Sequence, residues 1–297
     1  MRWWRPVGWA LAGLLLASCA QEPRSTDEWF HTRRGEPVYG TPRALPERHG
    51  RAPAERGDDA VPPREGAPGA VPGAYLKWGL AYPVSVAGEG PARKPVQQEG
   101  ELPAVVSRVP VEDKTVFLTF DDGIEKDPEF VRMARELGVP FSMFLTEEDA
   151  ADDYGYFKRL QRLGNPVHGH TLTHPDLTRL DYAGQRRQIC TQQQRIERRF
   201  GARSTVFRPP YGKYDAATLR AAGSCGVKTV AMWEADMKID DFEYRDGARL
   251  RPGDIVLAHF RGPKMQKGRS MTEMVAAMLR SIQRQGYAIG RLEDYVP

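Results

Sequence analysis

The sequence predicts an α/β protein built on a mostly parallel sheet, wound open or closed into a barrel. Two observations predict it. From Val109 to the end, short β-branched and aromatic runs alternate with amphipathic stretches at helical spacing. Several of those runs also end in a polar cluster, as happens in folds whose chemistry gathers at the carboxyl ends of strands.

Taken in order, the strand runs are residues 115–120, 140–145, 166–168, 205–208, 228–233, 254–260 and 287–292. The amphipathic stretches between them are 127–137, 154–163, 181–200, 216–222 and 271–285. In the last, Met271, Met274, Val275, Met278, Leu279 and Ile282 recur at helical spacing, the pattern of a core-facing stripe.

The first 108 residues have another texture. Arg2 and Arg5 precede a short apolar run, residues 7–17, which closes on Leu16-Ala17-Ser18-Cys19. The run is too short to span a bilayer comfortably and is followed by polar sequence, as in a secretory signal. The small pair before Cys19 resembles the lipobox of bacterial lipoproteins, which implies a diacylated Cys19 and a stable membrane anchor. Residues 20–108 are expected to form a largely disordered tether rich in Pro, Gly and Arg, because stretches such as 51–73 hold too little apolar surface to offset chain entropy. The exception is 74–86, where Tyr75, Leu76, Trp78, Leu80 and Tyr82 concentrate; it is either a strap docked on the domain or a sticky linker. The expected domains are therefore a signal segment 1–19, a tether 20–108 and a catalytic domain 109–297.

With 43 Lys and Arg against 39 Asp and Glu, the formal charge is +4. That suits an anionic wall or lipid surface and is too weak and dispersed for a nucleic-acid partner. In an exported chain Cys190 and Cys225 form an even pair, open to a disulfide or to two separate thiols.

Five clusters carry chemistry. Strand 115–120 runs into Asp121-Asp122-Gly123, two carboxylates that repel unless a cation or a shared proton relieves them. In Val167-His168-Gly169-His170-Thr171-Leu172-Thr173-His174, His170 and His174 are spaced i, i+4, so one helical turn would point both at a single metal. All four His of the domain (168, 170, 174 and 259) lie near strand ends. Phe207-Arg208-Pro209-Pro210-Tyr211 follows a β run; the prolines fix the backbone and leave the Tyr211 N–H as a positioned donor, while Arg208 can hold a carboxylate. Asp236, Asp240 and Asp241 cluster beside Phe242. Finally, the apolar strand ending at Leu257-Ala258-His259 delivers one imidazole, suited to general acid work.

This ordered set resembles carbohydrate esterase family 4, the polysaccharide deacetylases with a NodB-homology domain. Thr119-Phe120-Asp121-Asp122-Gly123, His170-Thr171-Leu172-Thr173-His174, Arg208-Pro209-Pro210-Tyr211 and Leu257-Ala258-His259 match its motifs over roughly residues 111–297. The resemblance implies a distorted (β/α) barrel of about seven strands. It implies a divalent metal, usually Zn2+ with Co2+, Ni2+ or Mn2+ as alternatives, on Asp122, His170 and His174. Asp121 would be the general base, tuned by Arg208, and the Tyr211 N–H would share the oxyanion. His259 would protonate the leaving amine, supported by Asp241 as the best match, with Asp236 and Asp240 as alternatives, and Leu257 would line the acetyl pocket. Phe242 stands where the family's fourth motif has Trp at the groove wall, and His168 where the family often has Gly. The implied reaction is N-deacetylation of an acetylated surface polysaccharide; O-acetyl removal and a catalytically silent wall-binding lipoprotein are the alternatives. Because a ligating imidazole must be neutral, activity is expected to fall below about pH 6.

Overall fold

The computed structural model describes residues 69–98 and 100–297. The predicted signal segment, Cys19 and the tether through Pro68 lie outside the described residues.

In chain order the elements are α1 (Ala74–Lys77), β1 (Ala104–Val106), β2 (Thr115–Asp122), α2 (Pro128–Leu137), β3 (Ser142–Leu145), α3 (Glu147–Ala150), α4 (Tyr154–Arg162), β4 (Val167–Gly169), α5 (Tyr182–Phe200), β5 (Val206–Phe207), α6 (Ala216–Ser224), β6 (Thr229–Ala231), β7 (Ala235–Met237), β8 (Phe242–Tyr244), β9 (Ile255–His259), α7 (Met271–Arg284) and β10 (Ala288–Gly290). The strands form one sheet in the order β1-β6-β5-β4-β3-β2-β9-β7-β8, with β10 also on β2. Every pairing is parallel except β7 with β8. This is the curled α/β architecture of the distorted barrel that the sequence predicts, with the short strands β1, β7 and β8 added.

Local chemistry explains the element ends. Asp127 caps α2 by accepting from the Glu129 N–H, Pro128 opens its first turn, and Gly138 ends it at φ 63°. A reciprocal capping box between Ser270 and Glu273 starts α7. Central strand β2 is buried at all eight positions, as a strand covered on both faces must be. Its alternation sorts the core into two layers. Val116, Leu118 and Phe120 join Phe130, Met133, Phe157, Met274 and Met278 beneath the helices. Phe117 faces the other way, with Phe144, Val206, Ile255 and Leu292 inside the curl. The same period of two places Thr119 and Asp121 on the inner side.

The folded unit begins earlier than the sequence suggests. Residues 69–98 and 100–108, expected within the tether, pack on the barrel. Leu80, Val84, Val96 and Val106 are buried, and Trp78 Nε1 donates to Glu136 Oε2 at 2.8 Å. Val86 bridges to Ile289, and β1 lies parallel to β6. The 74–86 patch is a docked strap. Its apolar side chains are scattered among Pro and Gly, so no helical or strand period announces it.

Cys190 in α5 and Cys225 after α6 form a disulfide with a sequence separation of 35. Closing a loop of this length restricts the unfolded chain by roughly 3–4 kcal/mol. Replacing both cysteines by Ala is expected to lower the unfolding free energy by about that amount, measured by guanidinium titration under oxidising conditions. An unchanged midpoint would refute the constraint.

Candidate active site

The site is assembled at the carboxyl ends of β2, β4, β5 and β9. Register sets Asp121 beside His259 and Asp122 beside Leu145. Asp121 continues the inward alternation of β2. Asp122 would face outward, but its backbone turns left-handed at φ 72°. Thr171, His174 and Tyr211 are also left-handed, at φ 75°, 53° and 60°. Such conformations cost on the order of 1–3 kcal/mol each in residues with a Cβ and persist only where the surroundings dictate them. Four of the five among the described residues lie in these loops.

The result is convergence. The Nε2 atoms of His170 and His174 are 3.2 Å apart, and Asp122 Oδ1 is 3.7 Å from the first and 3.4 Å from the second. One donor atom from each residue falls within 4.8 Å of the others. His170 Nδ1 lies 2.8 Å from the Arg208 carbonyl oxygen, so it carries the proton and leaves the Nε2 lone pair facing the cluster. Burial pushes the His170 pKa down to about 3, keeping the imidazole neutral. Two imidazole nitrogens and one carboxylate oxygen are a donor set that suits Zn2+ and accommodates Co2+ or Ni2+. The expected loss of activity near pH 6 from protonation of the imidazoles therefore does not apply to this buried ligand.

Beside the cluster sits a locked ion pair. Arg208 is fully buried. Its Nε donates to the Ala231 carbonyl at 2.8 Å, Nη2 to the Met232 carbonyl at 3.1 Å, and Nη1 to Thr119 Oγ1 at 2.8 Å and Asp121 Oδ1 at 2.7 Å. The guanidinium also lies 4.3 Å over the Phe144 ring. Burial pushes the Asp121 carboxyl above its ordinary range, against the pull of Arg208. Asp121 Oδ2 faces the metal cluster, 3.7 Å from His170 Nε2. Burial, with Arg261 and His170 nearby, holds the His259 pKa well below its usual value. The Tyr211 ring meets His174 edge-on at 4.6 Å, and among the described residues its N–H donates to no acceptor.

The Polysaccharide deacetylase family model matches residues 108–230. An uncharacterized protein of Streptomyces coelicolor is 42% identical over 66% of this chain and 78% of its own length. A chitooligosaccharide deacetylase of Rhizobium leguminosarum bv. phaseoli is 31% identical over 52% of this chain and 72% of its own. The chain belongs to the polysaccharide deacetylase family. Among solved structures, a mutant of a CE4 family pseudoenzyme from Bacillus anthracis, with restored enzymatic activity, shares the fold at TM-score 0.55. It is 24% identical, over 65% of this chain and 71% of that one.

This polysaccharide deacetylase departs from the sequence expectations in three places. His170 and His174 lie on a loop, not a helical turn; the left-handed Thr171 and His174, and a 3.1 Å bond from the His174 N–H to Thr171 Oγ1, bring the rings together. Asp241 is exposed and its Oδ1 accepts from the Phe242 N–H at 2.8 Å, so it does not support His259. Asp240 faces Arg269 at the surface, 3.5 Å away. Asp236 is the buried one of the three, opposite Leu257 in the β7–β9 register, its Oδ2 2.7 Å from Lys238 Nζ and its Oδ1 buried without a partner among the described residues. Phe242 is not a groove wall: it is buried in the core with its ring 5.7 Å from Tyr244. His168 lies outside the metal cluster, its Nδ1 2.7 Å from Ser204 Oγ and its Nε2 2.7 Å from Glu293 Oε1. Leu257 is buried on β9 two residues before His259, on the inner face.

The sequence reading missed Arg261. Its Nη2 lies 3.5 Å from Asp122 Oδ2, and its position two beyond His259 was the available signal, since alternate residues share a face.

Replacing Arg208 by Gln leaves the Asp121 carboxylate buried without its cation, which typically costs about 3–5 kcal/mol. The expected result is a urea midpoint lowered by that equivalent, and a variant as stable as the parent would refute the coupling.

Proposed function

We propose that this deacetylase removes N-acetyl groups from N-acetylated sugars of a cell-wall or surface polysaccharide, with peptidoglycan, chitin-like and poly-N-acetylglucosamine chains as the substrate class. The observation that carries this reading is the convergence of Asp122, His170 and His174 beside the second carboxylate, Asp121, whose other oxygen is held by Arg208. The named activity of the Rhizobium relative supports the substrate class.

Amide hydrolysis needs a nucleophilic water, a stabilised oxyanion and a proton for the departing nitrogen. A divalent ion held by Asp122, His170 and His174, most suitably Zn2+, would supply water activation near neutral pH and polarise the acetyl carbonyl. Asp121 takes the proton of the attacking water at Oδ2, because Oδ1 is engaged by Arg208. Raised by burial, its carboxyl holds that proton more readily than an exposed aspartate does. The Tyr211 N–H donates to the oxygen on which charge develops, an interaction worth about 3 kcal/mol where it has been removed from other enzymes. His259, the cross-strand neighbour of Asp121, passes the proton to the amine. Burial keeps it neutral at rest, so it carries a proton only within the cycle. Leu257, two residues earlier on the same face, lines the space for the acetyl methyl. Both carboxylates, both imidazole ligands and His259 are present, which favours turnover over a silent binding role.

We place the protein outside the cytoplasm, anchored through a lipidated Cys19, on the charged start, apolar run and small-residue pair of its first nineteen residues. Cys19→Ser is expected to move the protein from the detergent phase to the aqueous phase on Triton X-114 partition. Equal partition of the two forms would defeat the anchor.

Metal-loaded protein is expected to release acetate from N-acetylated oligomers, to lose that activity to a chelator and to regain it on Zn2+ or Co2+ addition. Asp121→Asn should lower the rate at least a hundredfold while the bound metal, measured by atomic emission, stays near one per chain; His174→Ala should lose both. Near-full turnover by Asp121→Asn would overturn its role as base.

A further inference from the structure

Three cationic side chains stand among the carboxylates of the site, and two of them are matched by a carboxylate. Arg208 Nη1 is 2.7 Å from Asp121 Oδ1, and Lys238 Nζ is 2.7 Å from Asp236 Oδ2. The third, Arg261, differs. Its closest carboxylate oxygen is Asp122 Oδ2 at 3.5 Å, with no hydrogen bond between them, and Asp122 Oδ1 is turned to His170 and His174. Arg261 Nε is buried and has no hydrogen-bond partner among the described residues.

Arg261 is not a loose surface arginine. Its side chain is only 23% exposed. Its N–H donates to the His259 carbonyl at 2.9 Å, and its own carbonyl accepts from Gln266 Nε2. The next residue, Gly262, is packed so closely that a Cβ there would meet Glu125 Oε2 at 1.7 Å. The backbone that aims the guanidinium is therefore fixed. Nε is sealed from solvent, whereas Nη1 and Nη2 are reachable and make no hydrogen bond among the described residues, so a ligand would meet the guanidinium at its outer edge, where two N–H groups lie side by side. Its planar fork is the complement of a carboxylate, which can take two parallel hydrogen bonds. Asp122 can offer the guanidinium only one oxygen, Oδ2, because Oδ1 is turned to His170 and His174, so it cannot fill both positions of the fork.

We propose that Arg261 recognises a carboxylate carried by the substrate sugar, so that the site prefers an N-acetylated sugar with an acidic substituent to its neutral counterpart. This rests on the deacetylase reading above.

The test compares oligomers of alternating N-acetylglucosamine and N-acetylmuramic acid, whose lactyl ethers carry carboxylates, with the same oligomers after amidation of those carboxylates. For the metal-loaded parent, kcat/KM is expected to favour the acid by about tenfold or more, the usual size of one charge-assisted pair. Arg261→Gln should lower both values but bring their ratio close to one, and Arg261→Lys, which keeps the charge and loses the fork, should fall between. A second arm avoids turnover: in the Asp121→Asn protein, calorimetry should show the acidic oligomer bound about tenfold more weakly after Arg261→Gln, with a smaller change for the amide. A parent ratio near one, or a ratio that Arg261→Gln leaves unchanged, overturns the proposal and assigns Arg261 to holding Asp122. A parent that releases no acetate from either oligomer overturns the deacetylase reading instead, and the calorimetric comparison then decides the role of Arg261 alone.

Discussion

The site is built around one buried cation. Arg208 reaches through the inside of the curled sheet and ties four positions together: the carbonyls of Ala231 at the end of β6 and of Met232 just after it, the Thr119 hydroxyl on β2 and the Asp121 carboxylate at its end. Its own carbonyl then accepts from His170 Nδ1–H and fixes that ring's tautomer. One residue thereby orients both the base and a metal ligand. The arrangement needs a guanidinium, because a lysine ammonium is a point charge on a flexible stem and offers no planar fork with which to span Asp121, Thr119 and two carbonyls at once. It also needs a dry interior. In water the ion pair would contribute little, whereas under Phe144 and Trp233 leaving the pair or its hydrogen bonds incomplete is strongly destabilising.

Around that fixed point the metal ligands are positioned by backbone strain rather than by secondary structure. A parallel strand delivers alternate side chains to one face, which suffices for Asp121 and His259. Asp122 is the wrong neighbour for that rule, since the residue after an inward one points outward, and the left-handed turn at Asp122 followed by Gly123 redirects it. His174 is brought back over His170 by a comparable device. The loop is held from beneath by β3 and α3, where the Glu147 N–H donates to the Thr171 carbonyl at 3.1 Å and the Glu148 N–H to the Leu172 carbonyl at 2.9 Å. The surrounding strands keep the strained residues in place, and the strain keeps the ligands converged.

This division explains what could be read from the sequence. Strand periodicity and polar residues at strand ends are local signals, so the fold class and the candidacy of Asp121, Asp122, His170, His174 and Arg208 could be argued from the chain alone, while the division of roles among them came from the family resemblance. Positions set by non-local geometry could not. An i, i+4 spacing fits a helical turn equally well, and nothing in Thr171 announces a left-handed conformation. Asp236, Asp240 and Asp241 are chemically alike; only the pairing of β7 with β9 buries the first and leaves the last at the surface. The role of His168 could not be read either, because its environment depends on Glu293, a residue 125 positions away, and on Ser204. A histidine near a strand end points to a site only if its side chain faces the open end of the sheet, and the sequence does not say which way it faces.

The same reasoning makes the β1 segment part of the catalytic unit rather than a decorated linker. Without β1, strand β6 would be a bare parallel edge with its N–H and C=O groups unpaired, a feature that folded proteins cover or disguise. Ala104, Val105 and Val106 pair in register with Thr229, Val230 and Ala231, and the Met232 N–H donates to the Val106 carbonyl at 2.7 Å. Ala231 and Met232 are the residues whose carbonyls hold Arg208. Pairing at β1 therefore braces the strand that braces the arginine that holds the base. A catalytic domain cut at residue 109 would keep every motif and lose this support.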